Sequence, residues 1–111
     1  MKVTRVEDHD GIPVLRLEGD FDTFEADDVR RELATLITEA SPSVILDLHG
    51  MTFANSTTIA CFISAQKRAR EFKGQLSLAA PREFFRKTLA TLGLDQVFPI
   101  FSAVEEVTSG K

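Results

Sequence analysis

The tightest constraint in this chain is the run Val44-Ile45-Leu46-Asp47-Leu48, nearly unbroken in its apolarity and set between two stretches of helical spacing. A strand with one wet face alternates apolar and polar residues, whereas a run apolar at successive positions has to be covered on both faces. Such a strand belongs in a parallel sheet, and parallel neighbours need helical crossovers.

The flanking pattern supplies those helices. In residues 24–40, Ala26, Val29, Leu33, Leu36, Ile37 and Ala40 fall on one apolar stripe. Asp22 or Thr23 caps its start, Glu25, Asp27 and Asp28 suit its positive end, and Pro42 marks its exit. After the run, Gly50 to Asn55 read as a loop. A second helix is predicted from Ser56 to about residue 72, with Ile59, Phe62, Ile63, Ala69 and Phe72 on its apolar side and Gly74 as C-cap. Upstream, residues 3–7 and 12–19 read as strands joined by an Asp/Gly turn, an antiparallel hairpin with Pro13 near a strand start. Downstream come a strand at 75–79, a helix from Pro81 or Arg82 to Gly93 and an extended piece at 99–101. A terminal helix over 102–107 would be capped by Ser102 with Glu105 in a capping box. The order β-β-α-β-α-β-α predicts one α/β domain over residues 1–111. Its sheet is mixed and mostly parallel, with four to five strands and about four helices.

Composition narrows the function. A net charge of −4 argues against general nucleic-acid binding, which depends on neutralising phosphates. Nine Phe without Trp or Tyr read as core filler, since stacking on RNA would interleave aromatics with basic residues. The single cysteine, Cys61, cannot form an internal disulfide and fits a reducing cytoplasm. No apolar run approaches the roughly 18 residues of a membrane span, and no secretory leader is visible. Monomer and weak dimer both stay open.

The segment richest in chemistry follows the buried strand, where Asn55-Ser56-Thr57-Thr58 stand at a helix start. First-turn amides have no intrahelical acceptor, and the helix dipole favours negative charge there. A phosphate placed on a hydroxyl at this point is received by free N–H groups. Capping alone also accounts for the same residues.

This strand-loop-helix resembles the central motif of STAS domains, an apolar strand ending Asp-Leu, a short loop, then Asp-Ser-Ser/Thr-Gly-Leu. Here it reads Ile45-Leu46-Asp47-Leu48, Met51-Thr52-Phe53 and Asn55-Ser56-Thr57-Thr58-Ile59. Leu17-Glu18-Gly19-Asp20-Phe21-Asp22, Gln75-Leu76-Ser77-Leu78, Leu89-Ala90-Thr91-Leu92-Gly93-Leu94 and Phe98-Pro99-Ile100-Phe101 are similar to further family segments in the same order. The resemblance implies an anti-sigma factor antagonist that is no enzyme and uses no cofactor or metal. Its partners would be an anti-sigma factor with serine kinase activity and a resetting phosphatase. Ser56 is the implied phosphoacceptor, with Thr57 and Thr58 as alternatives. Asp20, Asp22, Asn55, Ser56, Thr57 and Thr58 are the implied partner surface. Asn55 stands where the family has Asp, and Thr58 where it has Gly. These departures favour the alternative of a constitutive STAS module, such as a stress-signalling scaffold or the cytoplasmic subunit of a lipid-transport ABC system.

Other chemistry is sparse. Cys61 reads as a small buried residue, His9 as solvated, His49 as a hydrogen-bonding neighbour of the motif and Asp47 as a loop tether. Lys67, Arg68, Arg70 and Lys73 form a basic cluster that suits a helix C-terminus or an acidic partner. Gly-rich phosphate loops, a G-x-S-x-G elbow and metal-binding spacings are absent, so a small enzyme on this scaffold lacks its machinery.

Overall fold

The computed structural model describes residues 2–107. Strands and helices alternate: β1 (Lys2–His9), β2 (Ile12–Phe21), α1 (Thr23–Leu36), β3 (Val44–Ala54), α2 (Ser56–Glu71), β4 (Leu76–Ala79), α3 (Glu83–Thr91) and β5 (Ile100–Phe101). Short 3-10 turns at Leu94–Gln96 and Val104–Glu106 bring the helical pieces to three α-helices and two turns, against about four helices expected. The five strands lie in the sheet in chain order. β1 is antiparallel to β2, and every other pairing is parallel. Asp10 (φ 54) and Gly11 (φ 79) make the two-residue hairpin turn, whose twist needs positive φ at both positions. Pro13 lies opposite the register shift between Val6 and His9, where no ladder amide is required of it.

All three helices pack on one face. Leu15, Leu17, Leu46, Leu48, Leu76 and Leu78 from the sheet meet Val29 and Leu33 of α1, Phe62 and Ala69 of α2, and Phe85 and Leu89 of α3. A smaller cluster occupies the opposite face, where Ile12, Val14, Ile45 and Ala79 lie under Val104 and Val107. Successive residues of the apolar run thus enter two different cores, Leu46 the first and Ile45 the second.

Three helix ends differ from expectation. The first helix stops at Leu36, not at residue 40, because Ile37 turns to an extended backbone to stay in the core. Thr38 and Ser41 then close a reciprocal backbone turn that leaves Ala40 exposed. At the end of α2 the left-handed residue is Lys73 (φ 66), not Gly74. The Gly74 amide reaches Ala69 O at 2.7 Å and that of Lys73 reaches Arg70 O at 3.0 Å, a Schellman closure. Gly74 is needed for another reason: a Cβ there would sit 2.5 Å from the Pro42 backbone. The capping box expected at Ser102 does not form. Ala103 precedes the final turn, and the Ser102 amide instead donates to Glu106 Oε1 at 2.9 Å.

Candidate functional site

The stretch expected to be a loop after Leu48 is strand as far as Ala54. β4 accompanies β3 only to Asp47. Beyond that point β2 is the one strand paired with β3 among the described residues, with Glu18 opposite Gly50, Gly19 opposite Met51, Asp20 opposite Phe53 and Phe21 opposite Ala54. Burial of Met51 in the main core fixes this register. Two register shifts accommodate it, and Gly19 (φ 96) adopts there a backbone that other residues resist. Where β4 has ended, Arg82 Nε donates to His49 O at 2.8 Å. The outcome is a two-stranded projection, and α1 and α2 both start from its tip.

The two helix starts are capped separately and tied together. The Asp22 carboxylate accepts from the Phe24 amide at 3.0 Å, and Glu25 accepts from the Asp22 amide at 3.1 Å. Asn55 caps α2: its Oδ1 accepts from the Thr58 amide at 3.1 Å and its carbonyl from the Ile59 amide at 3.1 Å. Asn55 also reaches across to α1, donating from Nδ2 to Thr23 Oγ1 at 3.3 Å. Phe21 O, at the end of β2, accepts from both the Asn55 amide and the Thr58 hydroxyl, each at 3.1 Å. Thr52 Oγ1 donates to Asp20 Oδ1.

These bonds sort the hydroxyls. Ser56 and Thr57 are exposed, and their amides are the first-turn donors left without an intrahelical acceptor. Thr58 is 0% exposed with its hydroxyl committed to Phe21 O. Thr58 is therefore corrected as an alternative phosphoacceptor and as a surface contact; its side chain joins α2 to β2, a bond that glycine could not make. Asp20 and Asp22 are exposed and Asn55 is half-buried, so the remaining site residues share one end of the molecule. The Glu25 side chain, followed by the Phe24 and Glu25 amides, holds the Asp22 carboxyl below the ordinary carboxylate range.

Two residues of this end depart from the expectation that the phenylalanines fill the core. Phe24 (83% exposed) and Phe53 (48%) are not core filler. Phe24 lies off the Ala26-Val29-Leu33 stripe, a signal that was available in the spacing.

Elsewhere, Asp47 is a buried carboxylate that accepts from Arg16 Nε at 3.2 Å, from the His49 amide at 3.3 Å and from His49 Nδ1 at 2.9 Å. Burial pushes its pKa up, but the bonds from His49 and Arg16 outweigh burial and hold it below the ordinary range. Cys61 is half-buried between α1 and α2 with its thiol directed at Ala26 O, and burial pushes its pKa up, away from thiolate chemistry. Two of the basic cluster are clamps: Arg68 bonds Ile37 O and stacks on Phe72, and Arg70 bonds Val97 O. Among the described residues no group of His, Cys, Asp and Glu is placed to hold a metal, and no helix is long and apolar enough to cross a membrane.

Residues 4–107 match the family described as the STAS domain. RsfB of Mycobacterium tuberculosis, named an anti-sigma-F factor antagonist, is 21% identical over 105 residues, 95% of this chain and 85% of RsfB. BtrV of Bordetella bronchiseptica is 25% identical over 105 residues, 95% of this chain and 90% of BtrV. Unphosphorylated SpoIIAA superposes with a TM-score of 0.81 at 20% identity, over 95% of this chain and 91% of that one, a likeness of fold. With the match spanning nearly all of the described chain, this protein belongs to the STAS domain family.

Proposed function

We propose that this chain is an anti-sigma factor antagonist: in its unmodified form it captures an anti-sigma factor, and phosphorylation of Ser56 ends the capture. Family membership and the name borne by RsfB support the first half. The observation that carries the second is the exposed Ser56 hydroxyl in the first turn of α2, beside two amides with no intrahelical acceptor. The partner in this reading is a serine kinase that supplies ATP, a phosphatase reverses the step, and both meet the chain in the cytoplasm. Transfer joins Ser56 Oγ to the terminal phosphorus as the bond to ADP breaks. Asn55 cannot take up the hydroxyl proton as a carboxylate would, so the proton passes to the kinase. The new group adds about −1.5 to −2 charges to the docking surface.

A constitutive module is the second reading. Asn55 and Thr58 favour it, because they replace the family Asp and Gly with residues whose polar groups are occupied in capping and tying α2.

Peptide mapping of the protein from its native host, with Ser56→Ala alongside, tests the switch. The expected result is a phosphoryl group on Ser56 in some growth state, absent from the variant, and loss of anti-sigma factor binding on its addition. Phosphate on Thr57 alone would move the acceptor by one residue. Unmodified protein in growth and in stress would establish the constitutive reading instead.

A further inference from the structure

Of nine phenylalanines, seven are buried or half-buried. The two exposed ones, Phe24 and Phe53, stand at the same end of the molecule. Phe24 follows Thr23, the residue bonded by Asn55, and Phe53 lies two residues before Asn55, opposite Asp20 in the ladder. Neither belongs to a core cluster. Along the segments that carry them the charge has one sign, and Arg82 reaches the same strand only at His49 O. Residues 17–29 carry Glu18, Asp20, Asp22, Glu25, Asp27 and Asp28 with no Lys or Arg, and residues 50–66 carry no charged side chain. Asp27 and Asp28 are paired with Arg30 and Arg31, while Asp20 and Asp22 are met by a hydroxyl and by amides.

The geometry points to Phe24 and Phe53 as the two apolar anchors of partner docking beside Ser56, received by an anti-sigma factor face that is an apolar hollow with a basic rim. This rests on the antagonist reading and names the chemistry of its partner. Apolar anchors supply the affinity, and Asp20 and Asp22 steer the encounter against the basic rim. A phosphate on Ser56 then falls at the apolar centre of the contact. Stripping water from a near-dianion there costs more than attraction from a solvated rim returns. Release follows from desolvation and not from like-charge repulsion, so it persists at high salt.

The test is calorimetric titration of the full chain with each purified anti-sigma factor kinase encoded in the same genome, at low and high salt. Phe24→Ala and Phe53→Ala are compared with Leu92→Ala, a control at an exposed leucine near the end of α3. Each Phe variant is expected to bind at least about tenfold more weakly and the pair about a hundredfold, with the control within about twofold of wild type. Asp20→Asn should flatten the salt dependence with a smaller loss of affinity. Wild-type affinity in both Phe variants, with the wild type bound, would overturn the anchors and leave the antagonist reading standing. A wild-type dimer by sedimentation that Phe24→Ala dissolves would make the patch an interface between copies and also overturn them. Binding of the wild type to none of the kinases would remove the antagonist reading and the anchors with it.

Discussion

Asp47 illustrates how a buried carboxylate is kept charged by its neighbours. Because its carboxyl lies below the ordinary range when folded, the unfolded chain binds that proton more readily. Its contribution to stability is therefore complete above the unfolded carboxylate value of about 3.9 and is lost as pH falls through the lower folded value. Asp47→Asn should lower the urea midpoint at neutral pH, with wild type and variant converging as pH is taken from about 4 towards about 2. A deficit independent of pH would assign the loss to packing. Single residues were legible in sequence to the extent that their role is local. Ser56 and Asn55 announce a helix start by type and spacing. Whether Thr58 points into the protein depends on Phe21 O, a carbonyl 37 positions away that no local pattern reveals.

Helix and strand order was legible because periodicity carries it, and the main departures lie at ends set by distant packing. β3 continues past Leu48 because β2 is there to hold it, and α1 stops early because Ile37 is claimed by the core. The close of α2 offers a test with opposite signs in adjacent residues. Gly74→Ala drives a Cβ into the Pro42 backbone and should cost about 1–3 kcal/mol. Lys73→Gly relieves a left-handed residue and should gain up to about 1 kcal/mol. Urea denaturation of both variants checks the pair, and equal signs would contradict the assignment of close approach to Gly74 and of strained backbone to Lys73.

The two faces of the sheet are covered unequally. Three helices cover one, whereas the apolar strip of the other depends on Val104 and Val107. The sequence showed that the run had to be covered twice but not by what, since residues 102–107 resembled an ordinary capped helix. Val107→Ala should cost about 2 kcal/mol in thermal or urea unfolding with the Ser56 surface unchanged. An unaltered midpoint would mean that the strip tolerates water.

Strand order that follows chain order also bears on how the molecule is made. Each strand from β2 to β5 docks on a neighbour synthesised just before it, so a ribosome delivers the pieces in the order of assembly and every loop closed on the way is short. The cover of the second sheet face is the exception: Val104 and Val107, the last-made members of that cluster, settle over Ile12 and Val14, among the first. A growing chain carries that strip bare until synthesis has passed them.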